Sequence, residues 1–214
     1  LIADAERRLA LRIVARLPDW VTPDHCTFGG LAGACAAGIG FALSNASPAW
    51  LWLGVAGIFV SWWGDSLDGN LARTRNIQRP KYGAFVDHLT DALSQLAIFG
   101  GIALSPYAQA WSALLALTAY WLLTLLTLIT ALTAGDFRIS YLGVGPTEIR
   151  ILLILGTILH WLAGPMTAAA TAWGALSFFD ACFAGAFALV WVPFLISAVI
   201  RSEERRVGKE CRSR

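Results

Sequence analysis

Charge is what this chain has least of. Asp, Glu, Lys and Arg make up 14% of its 214 residues, against about a quarter in typical soluble domains. Residues 26–64 and 92–135 contain none of the four, and residues 151–200 contain one, Asp180. Runs of that length without charge leave no polar face for a soluble helix or strand, which excludes an ordinary soluble domain. Cysteine is also scarce, at four residues. Apart from Cys211 near the C-terminus, Cys26, Cys35 and Cys182 are scattered with no metal-binding spacing, and they read as small apolar packing residues. No repeat, no low-complexity tract and no basic patch of the kind that binds nucleic acid is present, and no nucleic-acid partner is expected.

What fills the space is apolar: 57% of the residues, with a mean hydropathy of +0.62. A membrane-spanning helix needs roughly 20 apolar residues. Each uncharged run is about two spans long and is broken near its middle by turn chemistry, at "SNASP" (Ser44–Pro48), "SP" (Ser105, Pro106) and "GP" (Gly164, Pro165). Three such hairpins predict an all-α integral membrane bundle of six transmembrane helices. The loops at these breaks contain no Lys or Arg; the N-terminal segment, the loop after the second helix, the loop from Asp136 to Arg150 and the C-terminus hold them all. By the positive-inside rule both chain ends face the cytoplasm, as in a bacterial inner membrane.

The last 13 residues, "SEERRVGKECRSR", change character abruptly. They hold five Lys/Arg and three Asp/Glu, and thereby the whole formal charge of +2. Residues 202–214 are accordingly set aside as a non-native or disordered tail, leaving residues 1–201 as one membrane domain. Its first segment, residues 1–17, reads as an amphipathic helix lying along the membrane interface, with Leu9, Ile13, Val14 and Leu17 on one face and Arg8, Arg12 and Arg16 opposite or flanking. Pro18 ends it, and "TPD" (Thr22–Asp24) turns the chain into the first span. Gly29, Gly30, Gly33, Gly38 and Gly40 in that span suit close helix packing in lipid.

Against this background one stretch stands out: "GDSLDGNLARTRNIQRPKYGAFVDHLTDAL", Gly64–Leu93. Trp50 to Asp65 is roughly 22 Å of helix, which brings the first carboxylate close to the membrane surface. Asp65 and Asp68 are three apart, Asp87 and Asp91 four apart, so each pair shares a helix face. The short connection makes the second and third spans antiparallel neighbours, with the two pairs facing across one cleft. Two unit charges 4 Å apart at an effective dielectric of about 20 repel by about 4 kcal/mol, and no Lys or Arg shares those faces. One or two hard divalent cations, Mg²⁺ or Mn²⁺, would neutralise them. Gly69 and Ala72 keep one helix face thin, Gly83 does the same opposite, and Arg73 is placed to meet phosphate oxygens. A metal, a guanidinium and a hollow together suit a nucleotide diphosphate.

Read as a pattern, Asp65-x2-Asp68-Gly69-x2-Ala72-Arg73-x9-Gly83-x3-Asp87-x3-Asp91 resembles the signature of the CDP-alcohol phosphotransferase family, membrane enzymes of phospholipid synthesis. The gap between Arg73 and Gly83 is nine residues where eight is usual; it falls in a loop. "TPDHCT" is also similar to the family's Pro-Asn/Asp-x-x-Thr opening. The resemblance implies that Asp65, Asp68 and Asp87 hold the metal, with Asp91 near or partly in its shell. It further implies that Asp91 is the base taking the acceptor's proton, and that Gly69, Ala72, Arg73 and Gly83 shape the CDP pocket. The partners it implies are a CDP-alcohol donor, an alcohol or lipid acceptor, membrane lipids and, as is common in the family, a second copy of the chain in a homodimer.

Two chemistries share the signature: phosphatidyl transfer from CDP-diacylglycerol to a polar alcohol, and amino-alcohol phosphate transfer to diacylglycerol. His88 after Asp87, Ala92 after Asp91 and "GPTE" (Gly145–Glu148) are similar to the choline and ethanolamine group, and lean the reading to the second. His88 has an equal local alternative, a hydrogen bond at the membrane surface. Arg138 and Arg150 read first as positive-inside anchors, with a lipid or substrate phosphate as the other option. His160 and Asp180 fall toward the opposite membrane face, out of reach of the cluster. Two other classes compete: a divalent-cation transporter, disfavoured because no acidic path crosses the chain, and a membrane prenyltransferase, disfavoured because there is one Asp-rich region and not two.

Overall fold

The computed structural model describes residues 2–134, 146–164, 167–171, 174–188 and 191. Helices dominate, in the order α1 (Ile2–Val14), α2 (Pro23–Leu43), α3 (Leu51–Thr74), α4 (Pro80–Ala103), α5 (Ala110–Ala134), α6 (Pro146–Ala163) and α7 (Phe178–Ala188). The expected tail 202–214, Arg138 and the rest of 135–145, Pro165 of the third break and most of 189–200 lie outside the described residues.

The helix ends follow from local chemistry. Thr22 caps α2 in a reciprocal box: the Thr22 side chain accepts from the His25 N–H, and His25 Nδ1 accepts from the Thr22 N–H at 3.1 Å, with Pro23 in the first turn. At "SNASP", Ser44 closes α2 and a single 3₁₀ turn, Pro48–Trp50, leads into α3. Asn76, with φ 54, takes the left-handed position just after α3. Helix α4 starts at Pro80, which takes the first helical turn. Helix α6 starts at Pro146, so that Arg150, expected to flank a loop, is carried on a helix.

One feature departs from an all-helical plan. After Gly164 (φ 75), Thr167–Thr171 and Gly174–Ser177 pair as a short antiparallel hairpin, β1 and β2, before α7. Beside it Asp180, 1% exposed, accepts from the backbone N–H of Gln109 (2.7 Å) and Ser177 (2.8 Å) and from the Ser112 hydroxyl. The buried acid thus satisfies free donors at the start of α5 and lies well disposed toward that helix's dipole.

Helix α2 is the centre of the bundle. It packs along α3 and α4, while α3 and α4 barely touch each other. The α2–α3 seam is made by glycines. A Cβ on Gly57 would lie 2.5 Å from Ala37 N and Gly33 O, and one on Gly64 would lie 2.5 Å from Gly30 Cα. On the α4 side, Gly38 and Gly101 meet backbone to backbone. The small-residue face expected from sequence is this pair of contacts. Around them Ala34, Ala37, Phe41, Ile58, Phe99 and Leu117 form the core, while large apolar side chains such as Phe28, Ile39, Phe59, Leu96, Leu114 and Leu152 point outward. Apolar residues on both the inner and outer faces are the pattern of helices solvated by lipid. By length and composition, α2 is the helix among the described residues that qualifies to cross a membrane. Cys35 and Cys182 belong to the exposed surface, not to the packed interior expected for them.

Helix α1 lies against α3 through Ala10 and Val14, both buried, with Leu9 turned outward. Two contacts tie it into the bundle. Thr147 at the start of α6 donates to Glu6 (3.0 Å). The Arg75 guanidinium, just after α3, donates to the carbonyls of Val21 (2.7 Å), Leu17 (2.8 Å), Pro18 (3.0 Å) and Asp19 (3.3 Å).

Candidate active site

Because α3 and α4 both rest on α2 without closing on each other, a cleft remains between their ends near the α3–α4 turn. Asp65 and Asp68 reach into it from α3, and Asp87 from α4. One carboxylate oxygen from each of the three lies within 4.8 Å of the other two. Thr27 of α2 donates to Asp68 Oδ2 at 2.6 Å, anchoring that carboxylate from below. The donor set is all oxygen, anionic and convergent, which suits a hard divalent cation such as Mg²⁺ or Mn²⁺.

Asp91, one helical turn beyond Asp87, lies at the edge of this group and not in the set of three. Arg150 of α6 bridges the two helices there: Nη1 donates to Asp65 Oδ2 at 2.6 Å, and Nη2 lies 3.5 Å from Asp91 Oδ1. With its side chain 15% exposed, this guanidinium is held in place. The expectation that no Lys or Arg shares the faces of α3 and α4 that carry the carboxylates is compatible with this contact, because Arg150 comes from α6. The compensating charge arrives from a helix 59 residues beyond Asp91.

A cleft of about 170 Å³ opens beside the cluster, lined by Asp68, Asp87 and the three small residues Gly69, Ala72 and Gly83, with Thr27 and Tyr82 also at its wall. A Cβ on Gly83 would meet nothing within 4 Å, so the glycine borders open space. Arg73 is the expected pocket residue that does not line the cleft. It is exposed, donates to Asn70 Oδ1 (3.3 Å) and folds its guanidinium over Gly69, where a Cβ would lie 3.2 Å from Nη2. The arginine at the wall is Arg79, which Asp24 holds through both carboxylate oxygens (2.6 and 2.7 Å) and which lies 4.3 Å over the Tyr82 ring. Asp24 pushes the Arg79 pKa above its ordinary value. His88 turns back onto its own helix, its Nδ1 2.7 Å from Ala84 O, the local role allowed for it from sequence. His160 packs between Tyr107 and Phe179, and Asp180 caps α5; neither joins the cluster.

Thr27 and Arg150 are the site residues that motif reading did not assign. Thr27 falls inside "TPDHCT", where the pattern marked a helix start; Arg150 carries no local signal beyond its charge.

A helical bundle with an acidic, oxygen-donor cluster between two of its helices, opening on a cleft thinned by glycine and alanine, is an arrangement that could hold a divalent cation beside a phosphate-bearing ligand. The chain belongs to the CDP-alcohol phosphatidyltransferase family, whose model matches residues 20–200. It is 38% identical over 84 residues to a phosphatidylinositol phosphate synthase of Cutibacterium acnes, a stretch covering 39% of this chain and 38% of that protein. It is 33% identical over 95 residues to cholinephosphotransferase 1 of Gallus gallus, covering 42% of this chain and 28% of that protein. The matched stretches thus span well under half the length of either relative.

Proposed function

We propose that this protein transfers a substituted phosphate group from a CDP-alcohol to an acceptor alcohol, with release of CMP, as a step of phospholipid synthesis. The observation that carries the reading is the convergence of Asp65, Asp68 and Asp87 within 4.8 Å beside the cleft lined by Gly69, Ala72 and Gly83. Asp65, Asp68 and Asp87 would hold Mg²⁺ or Mn²⁺, which when bound supplies positive charge to the diphosphate and to the leaving phosphate. Gly69, Ala72 and Gly83 leave room for the nucleotide against the helix backbones, and Arg73, exposed beside Gly69, would exchange its hydrogen bond to Asn70 for one to phosphate. Asp91 takes the proton of the acceptor hydroxyl. The acceptor oxygen forms a bond to the phosphorus that bears the donor alcohol, the bond from that phosphorus to the CMP oxygen breaks, and its electron pair leaves with CMP.

Between the two donor classes the reading leans to amino-alcohol phosphate transfer, on His88 and Ala92 beside the last two aspartates. The two relatives differ in name, one a phosphatidylinositol phosphate synthase and the other a cholinephosphotransferase. The clustering of Lys and Arg at the chain ends and the α3–α4 turn supports six spans in a bacterial inner membrane with the site facing the cytoplasm.

The test is CMP release by the purified protein in parallel assays: CDP-choline or CDP-ethanolamine with diacylglycerol, and CDP-diacylglycerol with polar alcohols, each with Mn²⁺ and with excess EDTA. CMP in one arm, lost with EDTA and restored by Mn²⁺ or Mg²⁺, is the expected result. Release that persists in EDTA contradicts the metal assignment, and silence in every arm contradicts the reaction.

A further inference from the structure

We infer that the outer flank of α1 is a binding site for an anionic phospholipid, whose phosphate meets the guanidinium groups of Arg12 and Arg16 while its chains lie against Leu9, Ile13 and Leu17. The inference stands apart from the proposed reaction and from the carboxylate cluster. Its basis is a surface hollow of about 400 Å³ lined by those five residues and by no acid. Round the helix, burial falls off in steps. Ala10 and Val14 are buried against α3, Ile13 and Leu17 are half-buried, and Leu9, Arg12 and Arg16 are exposed. The sequence pattern put Leu9, Ile13, Val14 and Leu17 on one apolar face with arginines opposite or flanking. In the structure Val14 is the one of these four that is buried, and the other three share the outer flank with Arg12 and Arg16.

Arginines one turn apart are neighbours on a helix surface, close enough for both to reach one phosphate through charge-assisted hydrogen bonds. Neither guanidinium has an ion-pair partner among the described residues, so the protein leaves the positive charge of the hollow uncompensated. An acidic polypeptide would answer the charge but leave the apolar stripe beside it in water; a phospholipid covers both. A zwitterionic headgroup brings its own cation to compete with the arginines, which favours an anionic one. The depth also fits. Arg75, just after α3, donates to the Leu17 carbonyl at 2.8 Å and so holds the end of the hollow level with the end of that helix. Just beyond stands Trp20, 72% exposed, a residue type enriched at headgroup depth. Long arginine stems can cover Leu9 and Ile13 while their charged heads reach the phosphate layer. The contact of α1 with α3 and the Thr147–Glu6 hydrogen bond hold the helix that presents the hollow.

The experiment titrates the detergent-purified full chain with phosphatidylglycerol, phosphatidylcholine or inorganic phosphate. Bound ligand is counted by native mass spectrometry, and melting temperature is measured on the same samples. The native protein should bind phosphatidylglycerol more tightly than phosphatidylcholine, and inorganic phosphate, which has no chains, far more weakly than either. Arg12→Gln/Arg16→Gln should weaken phosphatidylglycerol binding by on the order of tenfold and leave phosphatidylcholine binding unchanged. Arg7→Gln/Arg8→Gln removes the same charge from the same helix but outside the hollow, and should weaken it far less. Equal affinity of the native protein for the two lipids overturns the inference. So does an equal loss in both double variants, which would mean diffuse attraction with no site. Inorganic phosphate bound as tightly as phosphatidylglycerol overturns it as well, because the apolar stripe then contributes nothing. If Arg12→Gln/Arg16→Gln does not fold, the single variants Arg12→Gln and Arg16→Gln should each show part of the loss, and native phosphatidylglycerol affinity in both overturns the inference.

Discussion

Thr27 on α2 and Asp68 on α3 are joined by a 2.6 Å hydrogen bond across 41 residues of sequence. The helix that begins at the Thr22 cap thus aims a carboxylate of the next helix. Thr27→Val keeps the shape and removes the donor, leaving a half-buried carboxylate short of a partner. The cost should be about 1 kcal/mol, read as a lowered melting temperature in the metal-free protein, with Thr27→Ser close to native. Because a bound cation offers Asp68 another partner, the Val penalty should shrink in saturating Mn²⁺. An equal penalty with and without Mn²⁺ would show that the bond acts on packing alone.

The glycines of α2 and α3 separate into those that are seams and those that are not. Gly57 has no space for a Cβ, which would meet the Ala37 and Gly33 backbone at 2.5 Å, whereas Gly29 has nothing within 4 Å. Gly57→Ala should therefore force α2 and α3 apart and cost about 1–3 kcal/mol; Gly29→Ala should be neutral or slightly stabilising. Thermal unfolding of the two single variants in the same detergent decides it, and equal melting temperatures would mean that the seam yields freely.

What could be read in advance divides along the range of the contacts. The helices, the breaks at Ser44–Pro48 and Ser105–Pro106 and the turn at Thr22–Asp24 were legible because they depend on neighbours within a few residues. So were Asp65, Asp68 and Asp87, since a short turn between two helices almost fixes which faces meet. Arg150, Thr27 and Arg75 were not, because each acts at a separation of 41 residues or more. A single sequence does not say which helix will stand beside which. A positive charge near a span end satisfies the positive-inside rule whether it meets lipid phosphate, a carbonyl or a carboxylate, so Arg150 read as an anchor. Asp180 was correctly placed away from the cluster, but its work as the acid at the start of α5 required the hairpin β1–β2 to bring it there. The hairpin itself lies in an Ala- and Thr-rich run whose apolar composition fits a span equally well.

Arg75 is the clamp of the α1–α2 linker. Its two terminal nitrogens donate to four carbonyls between Leu17 and Val21, fixing the chain's approach to the Thr22 cap. Arg75→Met keeps the aliphatic packing and removes the donors, and should cost about 2 kcal/mol. Lysine, lacking the fork, should recover only part of it. The local consequence is separable from the global one: limited trypsin digestion should cut faster after the exposed Arg16 in Arg75→Met. An unchanged rate at that bond would show that the linker is held by other contacts.

Asp91 separates binding from turnover. It stands outside the set of three carboxylates and is engaged by Arg150, so Asp91→Asn should leave Mn²⁺ and CDP-alcohol binding near native. The amide is a far weaker base than the carboxylate and should lower kcat by about 100-fold or more. Asp68→Asn, which strips the central set, should instead lose Mn²⁺ binding, with activity falling as a consequence. Measuring Mn²⁺ affinity, donor affinity and CMP release on both variants distinguishes the two roles. If Asp91→Asn releases CMP at the native rate, the proton leaves by another route; if it loses Mn²⁺ as Asp68→Asn does, Asp91 is a ligand and the fork of Arg150 must open when the ion binds.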